Sequence, residues 1–166
     1  MGRGRSNRNG AALKLLLAVF AVLVIWMTWN NLEGKIGRSD AEQALEAVEK
    51  FYHYEQTGDF GSSWELFHPV MQQRFDKAAY IQKRAHILLQ DFGVTTFQLH
   101  VSAAKRLTDW RMSAEAQPIP TVYEVEVTQT FQSPYGNFSL QQPCFAALAD
   151  GHWKLLWSYE TENEHV

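Results

Sequence analysis

The amino-acid sequence predicts an α+β protein in which three helices precede a four-stranded antiparallel sheet, the whole carried behind an apolar N-terminal segment. Three observations support this class. Apolar residues recur at helical spacing between positions 41 and 89, the period drops to two from Phe97 onward, and short turns join the period-two segments. Short turns link antiparallel neighbours, since parallel strands need long crossovers.

The N-terminal segment comes first. Residues 11–29 read AALKLLLAVFAVLVIWMTW, interrupted only by Lys14, and as a helix would span roughly 28 Å, close to the hydrocarbon thickness of a bilayer. Lys14 can snorkel to the headgroups, while Trp26 and Trp29 mark the other interface. Asn30, Asn31, Leu32 and Glu33 follow, without the small-residue pair that a signal peptidase reads, so the segment reads as an uncleaved anchor. Arg3, Arg5, Arg8 and Lys14 precede any acid, which places the tail of residues 1–10 in the cytoplasm and everything beyond the linker of residues 30–38 outside it. The expected location is thus the cell membrane, crossed once, with an extracytoplasmic domain over residues 39–160 and a short tail over 161–166.

Length and charge narrow the classes. The 166 residues suffice for one cored domain plus an anchor. After the first 32 residues, 11 basic residues face 18 acidic ones, a net of −7. Phosphate-backbone binding rests on clustered Lys and Arg, so nucleic acid is not an expected partner. Cys144 is the single cysteine, which rules out an intramolecular disulfide and a cysteine zinc site within one chain, and its apolar neighbours read it as a core thiol.

Ser39 and Glu42 form a capping box that opens the first helix. Ala41, Ala44, Leu45, Val48, Phe51 and Tyr52 build its apolar stripe, with Glu42, Glu46, Glu49 and Lys50 outward. Gly58 supplies a left-handed stop, Asp59 caps a short second helix through Trp64, Leu66 and Phe67, and Pro69 interrupts it. A third helix is predicted over residues 77–91, burying Ala78, Ile81, Ala85, Leu88 and Leu89, and Gly93 ends it.

The first strand alternates Phe97, Leu99 and Val101 with polar residues, and the second alternates Tyr123, Val125, Val127 and Phe131 with Glu124, Glu126, Thr128 and Thr130. Residues 114–120 read as a mobile polar loop between them. Residues 133–137 (SPYGN) turn into the third strand, where Pro143 predicts a bulge or an edge. Asp150 and Gly151 turn into the last, Trp-rich strand through Trp153, Leu155, Trp157 and Tyr159.

The long first helix, the Gly58, Asp59, Phe60 joint, the short helix over residues 63–67, the third helix and the Trp-rich final strand together resemble the nuclear-transport-factor-2-like superfamily, also called the cystatin-like or cone fold. The resemblance covers residues 39–160 and is one of layout, with the Gly-Asp-aromatic joint as its motif. Within that superfamily the layout is similar to small extracytoplasmic bacterial domains, such as the N-terminal domain of the methicillin-resistance penicillin-binding protein. It implies three helices packed on a curved sheet, and in the superfamily's enzymes an Asp, Tyr or His works inside the cone as acid or base.

Candidate catalytic positions are therefore Tyr52, on the apolar stripe, and Asp91, His100 and Asp109, near the passage from helices to sheet. Nothing in their spacing pairs one with another, and general acid–base work needs converging groups. The six histidines include no pair four apart on a helix, so no metal or other cofactor is implied. Lys83, Arg84, Lys105 and Arg106 form a candidate basic spot, against the ordinary reading of solvated surface. Phe60, Trp64, Trp110 and Tyr135 are candidate binding aromatics, Trp64 also fitting the core.

The function expected is a membrane-anchored binding or scaffold module with a membrane-proximal protein partner, accessory to envelope or secretion machinery. The alternative is an isomerase- or dehydratase-like enzyme acting on a small molecule in the cone. Homodimerisation through the polar row of Glu124, Glu126, Thr128 and Thr130 is a further option.

Overall fold

The computed structural model describes Lys14, residues 19–24 and residues 38–158. The chain divides into two compact units, residues 1–38 and 39–166. In the first, residues 19–24 are helical and expose Val19, Phe20, Val22, Leu23 and Val24. Most of the predicted anchor over residues 11–29 lies outside the described residues, among which no helix is long and apolar enough to cross a membrane.

The second unit is α+β, with helices followed by a five-stranded antiparallel sheet. Helix α1 (Asp40–Thr57) begins at the capping box, where the Glu42 N–H donates to Ser39 Oγ and the Ser39 N–H donates to Glu42 Oε2 at 2.8 Å. It stops at Gly58, whose φ of 75° is the left-handed conformation that a side chain would strain. Helix α2 (Phe60–Glu65) is capped by Asp59, which accepts from the Ser62 N–H at 3.0 Å.

Pro69 does not end that helix but starts another. In α3 (Pro69–Arg74) it occupies the first turn, where a missing N–H costs nothing, and extended His68 caps the turn by accepting from the Val70 N–H through Nδ1. The expected third helix is α4 (Lys77–His86) continued by a π-turn (Ile87–Asp91), so among the described residues of this unit four α-helices stand where three were expected. The π-turn slips the register, closing with the Phe92 N–H on the Ile87 carbonyl at 2.9 Å. Leu88 stays buried while Leu89, predicted inside, is exposed.

The sheet has five strands rather than four because the predicted first strand is broken. β1 (Gln98–Val101) and β2 (Lys105–Trp110) both pair with the long β3 (Ile119–Ser133), along the same edge. Ser102, Ala103 and Ala104 stand opposite only Val125 and Glu126, a one-residue excess that makes a bulge. Ser102 closes it, its N–H donating to the Glu126 carbonyl and its Oγ accepting from the Glu126 N–H, both at 2.9 Å. β4 (Gly136–Ala149) pairs with β3 along its whole length, and β5 (His152–Leu156) pairs with β4 through a turn whose Asp150 and Gly151 both have positive φ. Pro143 sits opposite Glu126 in unbroken register, so there is no bulge; β5 reaches only Phe145, which leaves Pro143 at an edge. Tyr159 lies outside the described residues.

Along β3, Tyr123, Val125, Val127, Gln129 and Phe131 are buried on the face that α1 packs against. Phe51, Tyr52, Phe67, Met71, Leu88 and Leu155 fill the space between helices and sheet. Phe67 is the hub of the aromatic packing, with ring centroids 5.1 Å from Phe51, 5.2 Å from Tyr80 and 4.9 Å from Trp157. Its own backbone forms a parallel bridge with Leu155, in which the Leu155 N–H donates to the Leu66 carbonyl and the His68 N–H to the Leu155 carbonyl, both at 2.9 Å. The turn after α2 thereby occupies the outer edge of β5.

Candidate functional site

The polar centre of the domain is Glu55, a carboxylate with no exposed surface. It follows Val48, Phe51 and Tyr52 on the apolar stripe of α1, so the helix itself carries the charge into the core. Three neighbours meet it there. Ser63 of α2 donates to Oε1 at 2.5 Å, Tyr80 of α4 donates to the same oxygen at 2.8 Å, and Arg84 donates to Oε2 from Nε at 2.6 Å. A second Arg84 nitrogen also lies 2.6 Å from Oε2, and Tyr80 and Arg84 reach one target because residues four apart share a helix face. Burying a lone carboxylate would cost several kcal/mol, and this pairing is what makes the position tenable.

Beside this cluster, the Tyr52 hydroxyl accepts from Gln142 Nε2 at 3.0 Å, next to buried Cys144. Burial pushes the Tyr52 phenol well above its ordinary range, with the Cys144 thiol adding to the rise. Burial and then the Glu55 charge do the same for Tyr80. Burial pushes the Cys144 thiol up to about 12. For Arg84, burial works against the charge, but Glu55 and then Tyr80 outweigh it and hold the guanidinium protonated. The shifted groups here are thus fixed in one protonation state near neutral pH, and a general acid or base works best with a pKa near the operating pH.

The other candidate catalytic residues are not drawn in. Asp91 is exposed at the end of the π-turn, 3.4 Å from His86 Nε2. His100 is exposed on β1, and Asp109 is exposed on β2 with a φ of 51°. Of the four predicted positions, only Tyr52 borders the buried cluster.

The binding aromatics divide. Phe60 is buried, a correction that follows from its place at the start of α2 against the core. Trp64 is half-buried, with its Nε1 donating to the Phe75 carbonyl at 2.8 Å and Lys77 above its ring. Trp110 is half-buried because it lies against Phe145, ring centroids 4.4 Å apart. Tyr135, at the tip of the β3–β4 hairpin, is 85% exposed. The basic spot also dissolves, since Arg84 turns inward to Glu55 and Arg106 donates to Thr121, while Lys105 lies 4.0 Å from Glu124.

Sequence reasoning passed over Glu55, Ser63 and Gln142. Glu55 carried a readable signal, an acid seven residues after Val48 on a stripe otherwise apolar, with Arg84 as a cation of matching need on a facing helix. Comparison with known proteins finds no protein-family model that matches the chain and no curated protein that matches it.

Proposed function

We propose that the chain is a single-pass, membrane-anchored binding or scaffold module, its N-terminus cytoplasmic and its cone-fold domain extracytoplasmic. The observation that carries this reading is the filled interior. Aromatic and aliphatic side chains occupy the space between helices and sheet, and both oxygens of Glu55 are engaged by its own neighbours, which favours a recognition role for the surface over turnover inside. The anchor draws its support from the apolar run of residues 11–29, of which residues 19–24, described together with Lys14, form an exposed apolar helical stretch. The likeness in layout to nuclear-transport-factor-2-like domains adds an association by fold, which speaks to architecture more than to role.

A linker over residues 30–38 keeps the domain within a few nanometres of the bilayer, so its protein partner is membrane-proximal or a second copy of the chain. Photo-crosslinking from Thr128, on the sheet face turned away from α1, tests this in intact membranes when combined with protease treatment of sealed cells. The expected result is capture of one defined membrane-proximal protein or of a second copy, with loss of residues 39–160 to external protease. Protection of that domain in sealed cells, or absence of any capture together with turnover of a small molecule, overturns the reading.

A further inference from the structure

The face of the sheet opposite α1 carries an uncharged polar lattice beside the β3–β4 hairpin. Gln129 and Phe131 are buried on the helix side, so alternation turns Thr128, Thr130 and Gln132 to the other. Gln98 of β1 and Ser139 of β4 lie opposite Thr130 in register, and the Thr130 and Ser139 hydroxyls are 2.8 Å apart. Residues directly opposite share a face, so Gln98, Thr130 and Ser139 make one row across three strands. Here the crossover from the π-turn into β1 borders, with β3, a cavity of ≈ 410 Å³, lined by Gly93, Thr95, Thr96, Gln98, Thr130 and Gln132 among others. This volume falls within the range of small-ligand sites.

Two features give the cavity a chemical preference. Among the described residues, no ionisable side chain lines it; the polar side chains there carry hydroxyls and carboxamides, each able both to donate and to accept. Beside it stands Tyr135. Gly93 adopts a φ of 65°, and a Cβ there would come within 3.3 Å of Pro134 Cδ and 3.9 Å of Tyr135 Cε2. The glycine thus lets the hairpin tip seat against the cavity's rim, and it leaves the Tyr135 ring 85% exposed next to the polar lining. A large rigid ring held bare at a loop tip offers contact area at low entropy cost.

The geometry points to a binding site for a neutral oligosaccharide, with the Tyr135 ring against the C–H face of one sugar and Gln98, Thr130 and Gln132 bonding its hydroxyls. A charged ligand finds no counter-charge among the lining residues, whereas a polyol matches both the donors and the acceptors. The inference rests on the binding-module reading above and deepens it by naming a ligand class. Its failure is separable, because sugar titration of purified protein does not depend on topology or on a captured partner.

The test is calorimetric titration of the full chain, in a detergent without a sugar headgroup, with chitotetraose, cellotetraose and maltotetraose. One of the three is expected to saturate with a Kd of about 1 mM or tighter. Tyr135→Ala and Thr130→Val should each weaken it about tenfold, as for a central interface contact, while Gln82→Ala on exposed α4 surface leaves it unchanged. Far-UV circular dichroism confirms that the variants remain folded. No saturation by any of the three, or binding that survives both Tyr135→Ala and Thr130→Val, overturns the inference. So does saturation by an uncharged peptide where no tetrasaccharide binds.

Discussion

Arg84→Met removes the cation paired with Glu55 and leaves a buried carboxylate with two donors among the described residues, both on Oε1. Breaking a buried pair by deleting one partner costs about 3–5 kcal/mol, and the Arg84 side chain is 21% exposed, so water entering the vacated path sets the expected loss near the lower bound, about 3 kcal/mol. With a urea m-value of about 1.5 kcal/mol per M for a domain of this size, the midpoint should fall by about 2 M. Glu55→Gln combined with Arg84→Met removes the charge but keeps an acceptor for Ser63 and Tyr80, and should recover about 2 kcal/mol over Arg84→Met alone. A loss below about 1 kcal/mol at neutral pH would falsify the buried-pair account and class the contact with exposed ion pairs.

Phe67→Ala deletes the ring at the hub of the aromatic packing and should cost about 3–5 kcal/mol by urea unfolding; a cost under about 1 kcal/mol means the neighbouring rings close the gap. Cys144 should resist alkylation at pH 8 in the native state and react at once in denaturing urea, because the thiol is buried and its pKa lies at about 12. The same shift makes the folded chain retain a proton that the unfolded chain releases from the ordinary value of 9.0 upward, so stability declines as pH rises from there. Tyr52 and Tyr80 add to the decline above 10.0, and Cys144→Ala should remove its onset. Rapid native labelling, or an onset unchanged in that variant, contradicts the assignment.

Local chemistry made much of the α+β layout legible. The Ser39–Glu42 box, the Gly58 stop, the Asp59 cap and the turn at Asp150 and Gly151 each act through residues within four positions of one another, and each appears where the spacing predicted. The alternation in β3 was equally clear because one face is buried against helices along its length. What escaped depends on distant partners. The split of the first strand into β1 and β2 arises from one extra residue against β3, which no local pattern marks. Pro69 reads as a break or as a start depending on whether an extended residue precedes it, and His68 is extended because its N–H is drawn to Leu155. The Glu55 cluster joins residues up to 29 positions apart. Arg84 looked like surface because it follows Lys83 in a basic pair, and Trp110 looked available because Phe145 lies on another strand.

The bridge between Phe67 and Leu155 has a bearing on assembly. It engages the backbone of β5 on the side away from β4, so among the described residues the open margins are β1–β2, kinked at Ser102, and the stretch of β4 before Phe145, which β5 does not reach. An uncovered strand edge is a template for pairing with another chain. The turn after α2 therefore caps β5 and confines any strand addition to those two stretches, away from the end of the sheet that carries Leu155.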